Sequence, residues 1–170
     1  DNMIYLKAAN LEDVEKEYNA ISQIPENENG YINDYYGCTR EEFKNIILPE
    51  MIEHSKDINV PENRVPDTYY FLWDEQEIVG LFKIRHCLNE FLAKGPGHVG
   101  YGILKKYRGK GYATKGLALA VEICKTLIKE DEIYLSVNKN NLASFKVQEK
   151  NGAYIIAENE EEYFTRIKIR

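Results

Sequence analysis

The run Tyr107-Arg108-Gly109-Lys110-Gly111-Tyr112-Ala113-Thr114 sets glycines and cations directly ahead of the longest stretch of helical periodicity in the chain. The first turn of a helix carries amides with no partner inside the helix, and the helix dipole makes that end positive, so a phosphate oxygen is readily received there. Small residues let the phosphate come close, and Arg108 and Lys110 can add charge. The same residues would also serve as a glycine turn that only starts a helix. The run lacks the Gly-Lys-Ser/Thr ending that places a metal and a triphosphate, and it lacks a Gly-x-Gly-x-x-Gly dinucleotide fingerprint. What remains is a phosphate held by backbone and arginine.

The surrounding pattern supplies elements to hold this turn. Met3 to Lys7 reads as an edge strand, and Asn10 caps a helix from Leu11 to about Ile21, with an acid three residues on. Thr39 with Glu42 repeats that device for a second helix, which Pro49 bends or restarts before it ends near His54 to Lys56. Between and after these helices, Glu26 to Gly30 and Asp57 to Asp67 read as loops. The period then changes: Tyr69 to Trp73 and Ile78 to Ile84 form a hairpin around Asp74 to Glu77, followed by a third strand from His98 to Leu104. Gly100 and Gly102 weaken that strand and point to a bulge, or to a place where another backbone or a ligand comes close. Ala113, Leu117, Ala120, Cys124 and Leu127 make the apolar stripe of the long helix. A strand from Ile133 to Val137, a helix from Asn141 or Leu142 to Lys150 stopped by Gly152, and a hairpin of Ala153 to Ala157 with Thr165 to Ile169 close the chain. Strands bracketing helices predict an α/β fold, a sheet with helices on both faces, in a single domain spanning residues 1–170.

Arg108-Gly109-Lys110-Gly111-Tyr112-Ala113 resembles the Arg/Gln-x-x-Gly-x-Gly/Ala pyrophosphate loop of the GCN5-related N-acetyltransferase (GNAT) superfamily. Asn141-Leu142-Ala143-Ser144 followed by Gln148-Glu149-Lys150-Asn151-Gly152-Ala153 is similar to that family's Asn-x-x-Ala/Ser helix ending in Tyr-Glu-Lys-x-Gly-Phe. The likeness runs from about Tyr69 to Ala157. It implies a GNAT-like mixed central sheet of about six or seven strands, splayed at the middle. It also implies acetyl-CoA as cosubstrate, with the pyrophosphate wrapped by Arg108, Gly109, Lys110, Gly111, Tyr112, Ala113 and Thr114. Ile103 and Leu104 would bond the pantetheine arm as a strand would, and Asn141 and Ser144 would touch it from the other side.

The implied reaction is transfer of an acetyl group to a primary amine by direct attack in a ternary complex. An amine of pKa about 10.4 is protonated at neutral pH, and exposing its free base costs about 4.6 kcal/mol, so a proton acceptor is needed. The family's tyrosine acid falls on Gln148, and an amide cannot deliver that proton; Tyr101 or Tyr154 would substitute. His98, at the mouth of the third sheet strand, is the expected base, ahead of His86 and His54. Each of these has a plainer reading: core tyrosines, and a histidine bonded to backbone. Glu26 to Glu28 and Tyr31, Tyr35 and Tyr36 lie where the resemblance implies acceptor selection, and acids there would suit a cationic amine.

The formal net charge of -6 argues against broad binding to nucleic acid or to an anionic membrane. Cys38, Cys87 and Cys124 are odd in number and widely spaced, which suits neither a disulfide framework nor a clustered metal site, and no metal is expected. The opening residues lack a secretory signal, Met3 reads as the natural start, and the expected location is cytoplasmic. Expected partners are a small-molecule or peptidyl amine acceptor. A homodimer stays open, because the terminal hairpin offers an edge while its acidic turn repels a like copy. Two other readings stand beside the transferase: a non-catalytic acyl-CoA-binding sensor or regulatory domain, and a dimeric interaction protein.

Overall fold

The computed structural model describes residues 2–170. β1 (Ile4–Ala8), β4 (Asp67–Asp74), β5 (Glu77–Arg85) and β6 (Val99–Ile103) form a four-stranded sheet in the order β1-β4-β5-β6. β7 (Glu132–Asn138), β8 (Tyr154–Glu158) and β9 (Glu162–Lys168) form a three-stranded sheet in the order β7-β9-β8. A small hairpin, β2 (Asn27–Glu28) with β3 (Tyr31–Ile32), occupies part of the segment expected to be loop. Every ladder between these strands is antiparallel.

The helices begin where the sequence offers caps. The Asn10 side chain accepts from the Asp13 amide, though the first turn, Leu11–Asp13, is a 3-10 turn and α1 proper is Val14–Ile21. Thr39 and Glu42 form the reciprocal capping box of the short α2 (Arg40–Glu42). The chain then widens into a π-helical turn, Phe43–Ile47, before α3 (Leu48–Ser55). Pro49 has no amide to give the carbonyl four residues back, and the wider turn ahead of it takes up that irregularity. α4 (Glu90–Ala93), α5 (Tyr112–Leu127) and α6 (Leu142–Lys150) complete the set, with Gly152 at φ +88° after the last. Among the described residues no helix is long and apolar enough to cross a membrane.

Alternation along β5 divides the core in two. Leu81 packs with Phe43, Met51 and Trp73 under α1 and α3, whereas Phe82 and Ile84 pack with Leu117, Ala120 and Cys124 of α5 and with Ile133 and Leu135 of β7. Each such large apolar side chain contributes about 1.5–3 kcal/mol by leaving water, which fixes α5 against the sheet and therefore fixes the position of its first turn.

The two sheets meet at one point. Gly97 bridges Leu135, the His98 amide donates to the Tyr134 carbonyl at 2.7 Å, and the Tyr134 amide donates to His98 Nδ1 at 2.9 Å. A Cβ on Gly97 would stand 2.1 Å from the Tyr134 oxygen, so only glycine permits this approach. Past that apex no ladder joins β6 to β7, and a gap opens between them. The bulge expected at Gly100 and Gly102 is absent: β5 and β6 pair without a register shift from Gly80↔Ile103 to Ile84↔Val99, and the irregularity lies between Leu72 and Trp73 instead. The two glycines serve the second expectation, a close approach, because the Tyr31 ring lies over them, 3.5 Å from where a Gly100 Cβ would be.

β8 is the outer strand of its sheet, exposed along its length, and carries an extra residue at Ile156, between the pairs Ile155↔Thr165 and Ala157↔Phe164.

Candidate active site

The gap between β6 and β7 contains two cavities that share a seam at Glu28, Asn29, Tyr101, Asn141 and Ser144. The first, of 440 Å³, runs along the start of α5. The second, of 320 Å³, reaches under the β2-β3 hairpin to the end of β5.

The wall of the first cavity is mostly backbone. Gly109 and Gly111 sit at φ +75° and +84°, a region that side chains resist, and nothing lies within 4 Å of where their Cβ atoms would be. Gly111 occupies the N-cap of α5 and so cannot cap it with a side chain. Asn10, Thr39, Asn89 and Asn141 all cap their own turns through side-chain oxygens. The longest helix of the fold thus presents first-turn amides, uncapped, to an open groove. Arg108 stands beside it, with its Nε donating to the Ile103 carbonyl at 3.2 Å and its guanidinium paired to Glu28. An anionic diphosphate fits this cradle, in which the space left by the missing Cβ atoms, the free amides and one arginine converge.

Ile103, Arg108, Gly109, Gly111, Tyr112, Ala113, Thr114, Asn141 and Ser144 all line this cavity. Two expected residues do not. Leu104 is buried, its amide donates to Val79 at 2.9 Å and its carbonyl accepts from Tyr107 at 2.8 Å, so its amide is not free for a ligand. Lys110 is exposed and lies over a separate hollow beside Tyr112, Lys115 and Asp74, outside the left-handed turn at Gly111.

The expected proton carriers separate sharply. Tyr101 is at the seam, stacked on Phe82 at 5.1 Å, with its hydroxyl 2.7 Å from Ser144 Oγ. Burial raises its pKa, so the phenol keeps its proton at neutral pH. His98, in contrast, is fully buried at the apex of the gap and lines neither cavity. Its Nδ1 accepts from Tyr134, which leaves Nε2–H to donate to Glu130 at 2.9 Å. Both ring nitrogens are committed, and burial pushes the imidazole pKa down, so His98 is a structural link and not the base. Tyr154 is also corrected: it sits exposed on β8, hydrogen-bonded to Glu132, away from both cavities. Gln148, where the acid was missing, is buried beneath α6, donating to the Ser136 carbonyl of β7 at 3.2 Å and accepting from Thr165 of β9 at 2.7 Å.

Of the acceptor-side aromatics, Tyr31 lines the second cavity, Tyr35 packs on Tyr69 at 5.8 Å, and Tyr36 is exposed. The sequence reading missed the charged floor of that cavity. Lys83 and Arg85 both face it from β5. Lys83 is buried, 3.7 Å from Asp67 and 3.8 Å from Asp34, and its pKa is lowered to about 8, first by desolvation and then by Arg85. The available signal was period: residues 81, 83 and 85 share a face, so two cations stand in line with the core-facing Leu81.

Comparison with known proteins agrees with this geometry. Residues 4–154 match the acetyltransferase (GNAT) domain family. No curated protein sequence matches the chain. Among solved structures, a ribosomal L7/L12 alpha-N-protein acetyltransferase in complex with coenzyme A is similar with a TM-score of 0.71 at 13% identity, over 98% of this chain and 94% of that one. A microcin C7 self-immunity acetyltransferase in complex with acetyl-CoA and AMP gives 0.69 at 16% identity, covering 99% and 94%. A spermidine N-acetyltransferase from Vibrio cholerae in complex with CoA and spermine gives 0.64 at 17% identity, covering 97% and 95%.

Proposed function

The chain belongs to the GNAT acetyltransferase family, and from that premise we propose that it passes an acetyl group from acetyl-CoA directly to a primary amine, both substrates being bound at once. The observation that carries the reading is the uncapped start of α5 facing the larger cavity, beside Arg108. In this reading the amides from Gly109 to Thr114, with Arg108, hold the pyrophosphate, and Ile103, Asn141 and Ser144 flank the pantetheine arm. The acceptor amine enters by the second cavity, and the two substrates meet at the seam.

The proton steps follow from what stands at that seam. Glu28 lines both cavities and takes a proton from the acceptor's ammonium group once Arg108 turns toward phosphate, which frees the nitrogen lone pair for attack. The freed amine nitrogen bonds to the acetyl carbon, its remaining surplus proton passes to water, the carbon–sulfur bond breaks, and the Tyr101 hydroxyl gives its proton to the departing sulfur and is reprotonated from solvent. A thiol pKa near 8.5 makes this last donation helpful without being obligatory. A non-catalytic acyl-CoA-binding sensor is the second reading, favoured by the buried, hydrogen-bonded Gln148 where the family's tyrosine stands.

Calorimetry with CoA and acetyl-CoA, followed by thiol release across an amine panel, tests these readings. Micromolar binding is expected in wild type and lost in Gly111→Trp; wild type without binding would remove both. Tyr101→Phe is expected to lower kcat by on the order of tenfold or more, with CoA affinity unchanged. Binding without release to any amine would favour the sensor.

A further inference from the structure

The second cavity holds a charge that the proposed proton steps do not use. Lys83 and Arg85 line its floor beside Asp34, and behind them stand Arg64 and Asp67, which do not line the cavity. Asp67 is shared by Arg64 at 3.6 Å and Lys83 at 3.7 Å, and Asp34 is taken by Lys83 at 3.8 Å. Arg85 is left over. Among the described residues it forms no ion pair, and its guanidinium makes one hydrogen bond, from Nη1 to the Gly97 carbonyl at 3.1 Å. Arginine has five N–H donors in a planar fork, so most of this one's capacity is unspent although the side chain is only partly exposed. Burial lowers its pKa, and Tyr69, Asp67 and Tyr31 oppose that only in part.

Two further carboxylates line the cavity. Glu28 is engaged by Arg108 at the seam, and Glu162, on β9, forms no ion pair among the described residues. The cavity therefore has a cationic end at β5 and acidic groups toward the seam and β9. A polyamine, cationic at both ends, would put one ammonium group against Arg85. At 320 Å³ the cavity is at the small end of small-molecule sites, which span about 300–1,000 Å³.

We propose that the acceptor is a small primary amine carrying a carboxylate, such as an α-amino acid, with Arg85 as the carboxylate-binding residue, Lys83 supporting it and the amine directed to the seam. The proposal rests on the transferase reading for its amine end and on Arg85 alone for its carboxylate end. A planar carboxylate can take two parallel N–H bonds from the fork, which an ammonium or a neutral amide cannot match.

The test uses matched acceptors: alanine and phenylalanine, their carboxamides, ethylamine and phenethylamine, spermidine, and phosphoethanolamine. Wild type is expected to favour the amino acids over their carboxamides and decarboxylated amines by on the order of 100-fold in kcat/KM. Arg85→Met should erase that preference, chiefly through KM, while CoA affinity stays unchanged; Arg85→Lys, which keeps charge but loses the fork, should fall between. Equal or better use of carboxamides or spermidine by wild type, or equal losses for both acceptor classes in Arg85→Met, would overturn the proposal. A preference for phosphoethanolamine would overturn the carboxylate assignment. Calorimetry of N-acetylalanine and N-acetylphenylalanine against their carboxamides, on the CoA-loaded protein, separates the two readings. Carboxylate-selective binding without turnover of any acceptor would sink the transferase and keep the anion site, and unselective or absent binding would sink the anion site whatever the turnover.

Discussion

The two cavities are built from different materials. The larger is walled by a strand end, a glycine turn and a helix start within the segment 101–114, with α6 opposite, and most of its chemistry is main chain. The smaller is assembled from Tyr31, Asp34, Lys83, Arg85, Asn138 and Glu162, from segments far apart in the chain, and its chemistry is side chain. Main-chain recognition demands residue types at fixed short spacing, since the backbone conformation itself makes the site. Side-chain recognition leaves no local spacing to read, so one surface can stay fixed while the other is free to change its ligand.

Both surfaces hang from the apex where Gly97 and His98 meet β7. The largest expected effect is therefore Gly97→Val, whose Cβ would stand 2.1 Å from the Tyr134 carbonyl at a φ of +74°. A loss above about 4 kcal/mol, seen by chemical denaturation or as insoluble protein, should remove both binding functions together. A folded variant that kept one of them would show that the two surfaces are positioned independently.

The next largest sharpens the same point with pH. His98 is neutral in the fold, one nitrogen accepting and the other donating, and its pKa is lowered, first by burial. A histidine held below its unfolded value gives stability that is present above about pH 6.5, the unfolded pKa, and that is lost as pH falls toward the folded one. The melting temperature of wild type should thus drop on acidification more steeply than that of His98→Gln, which should itself cost about 1–3 kcal/mol at neutral pH. Parallel slopes would mean that the imidazole titrates freely and does not hold the apex.

The smallest effect is at Tyr154, which belongs to neither surface. Tyr154→Phe removes an exposed contact to Glu132 and should leave the denaturation midpoint within experimental error of wild type, with kcat unaltered. A clear fall in kcat would place β8 nearer the chemistry than its position allows.

These outcomes also mark how far the sequence could be read. The longer strands, the caps at Asn10 and Thr39, and the glycine turn that starts α5 were legible because each depends on residues within a few positions of one another. His98 was misread because what decides its role, Tyr134 and Glu130, lies more than thirty residues on. Leu104 failed for a related reason: whether a strand-end amide is free depends on the register with Val79, which the strand's own residues do not encode. Lys83 and Arg85 were visible as cations on an apolar strand, but the cavity that gives them meaning needs β3, β7 and β9 in place.

The extra residue at Ile156 bears on how the molecule behaves in a crowd. β8 is an outer strand with Ile155 and Ile156 in water, the kind of edge along which sheets can add copies of themselves and grow into fibres. The residue inserted there breaks the even row of donors and acceptors that an incoming strand would have to match, and the glutamates at the neighbouring turn repel a like chain. One irregular step in the ladder thus makes this apolar edge a poor template for a further strand.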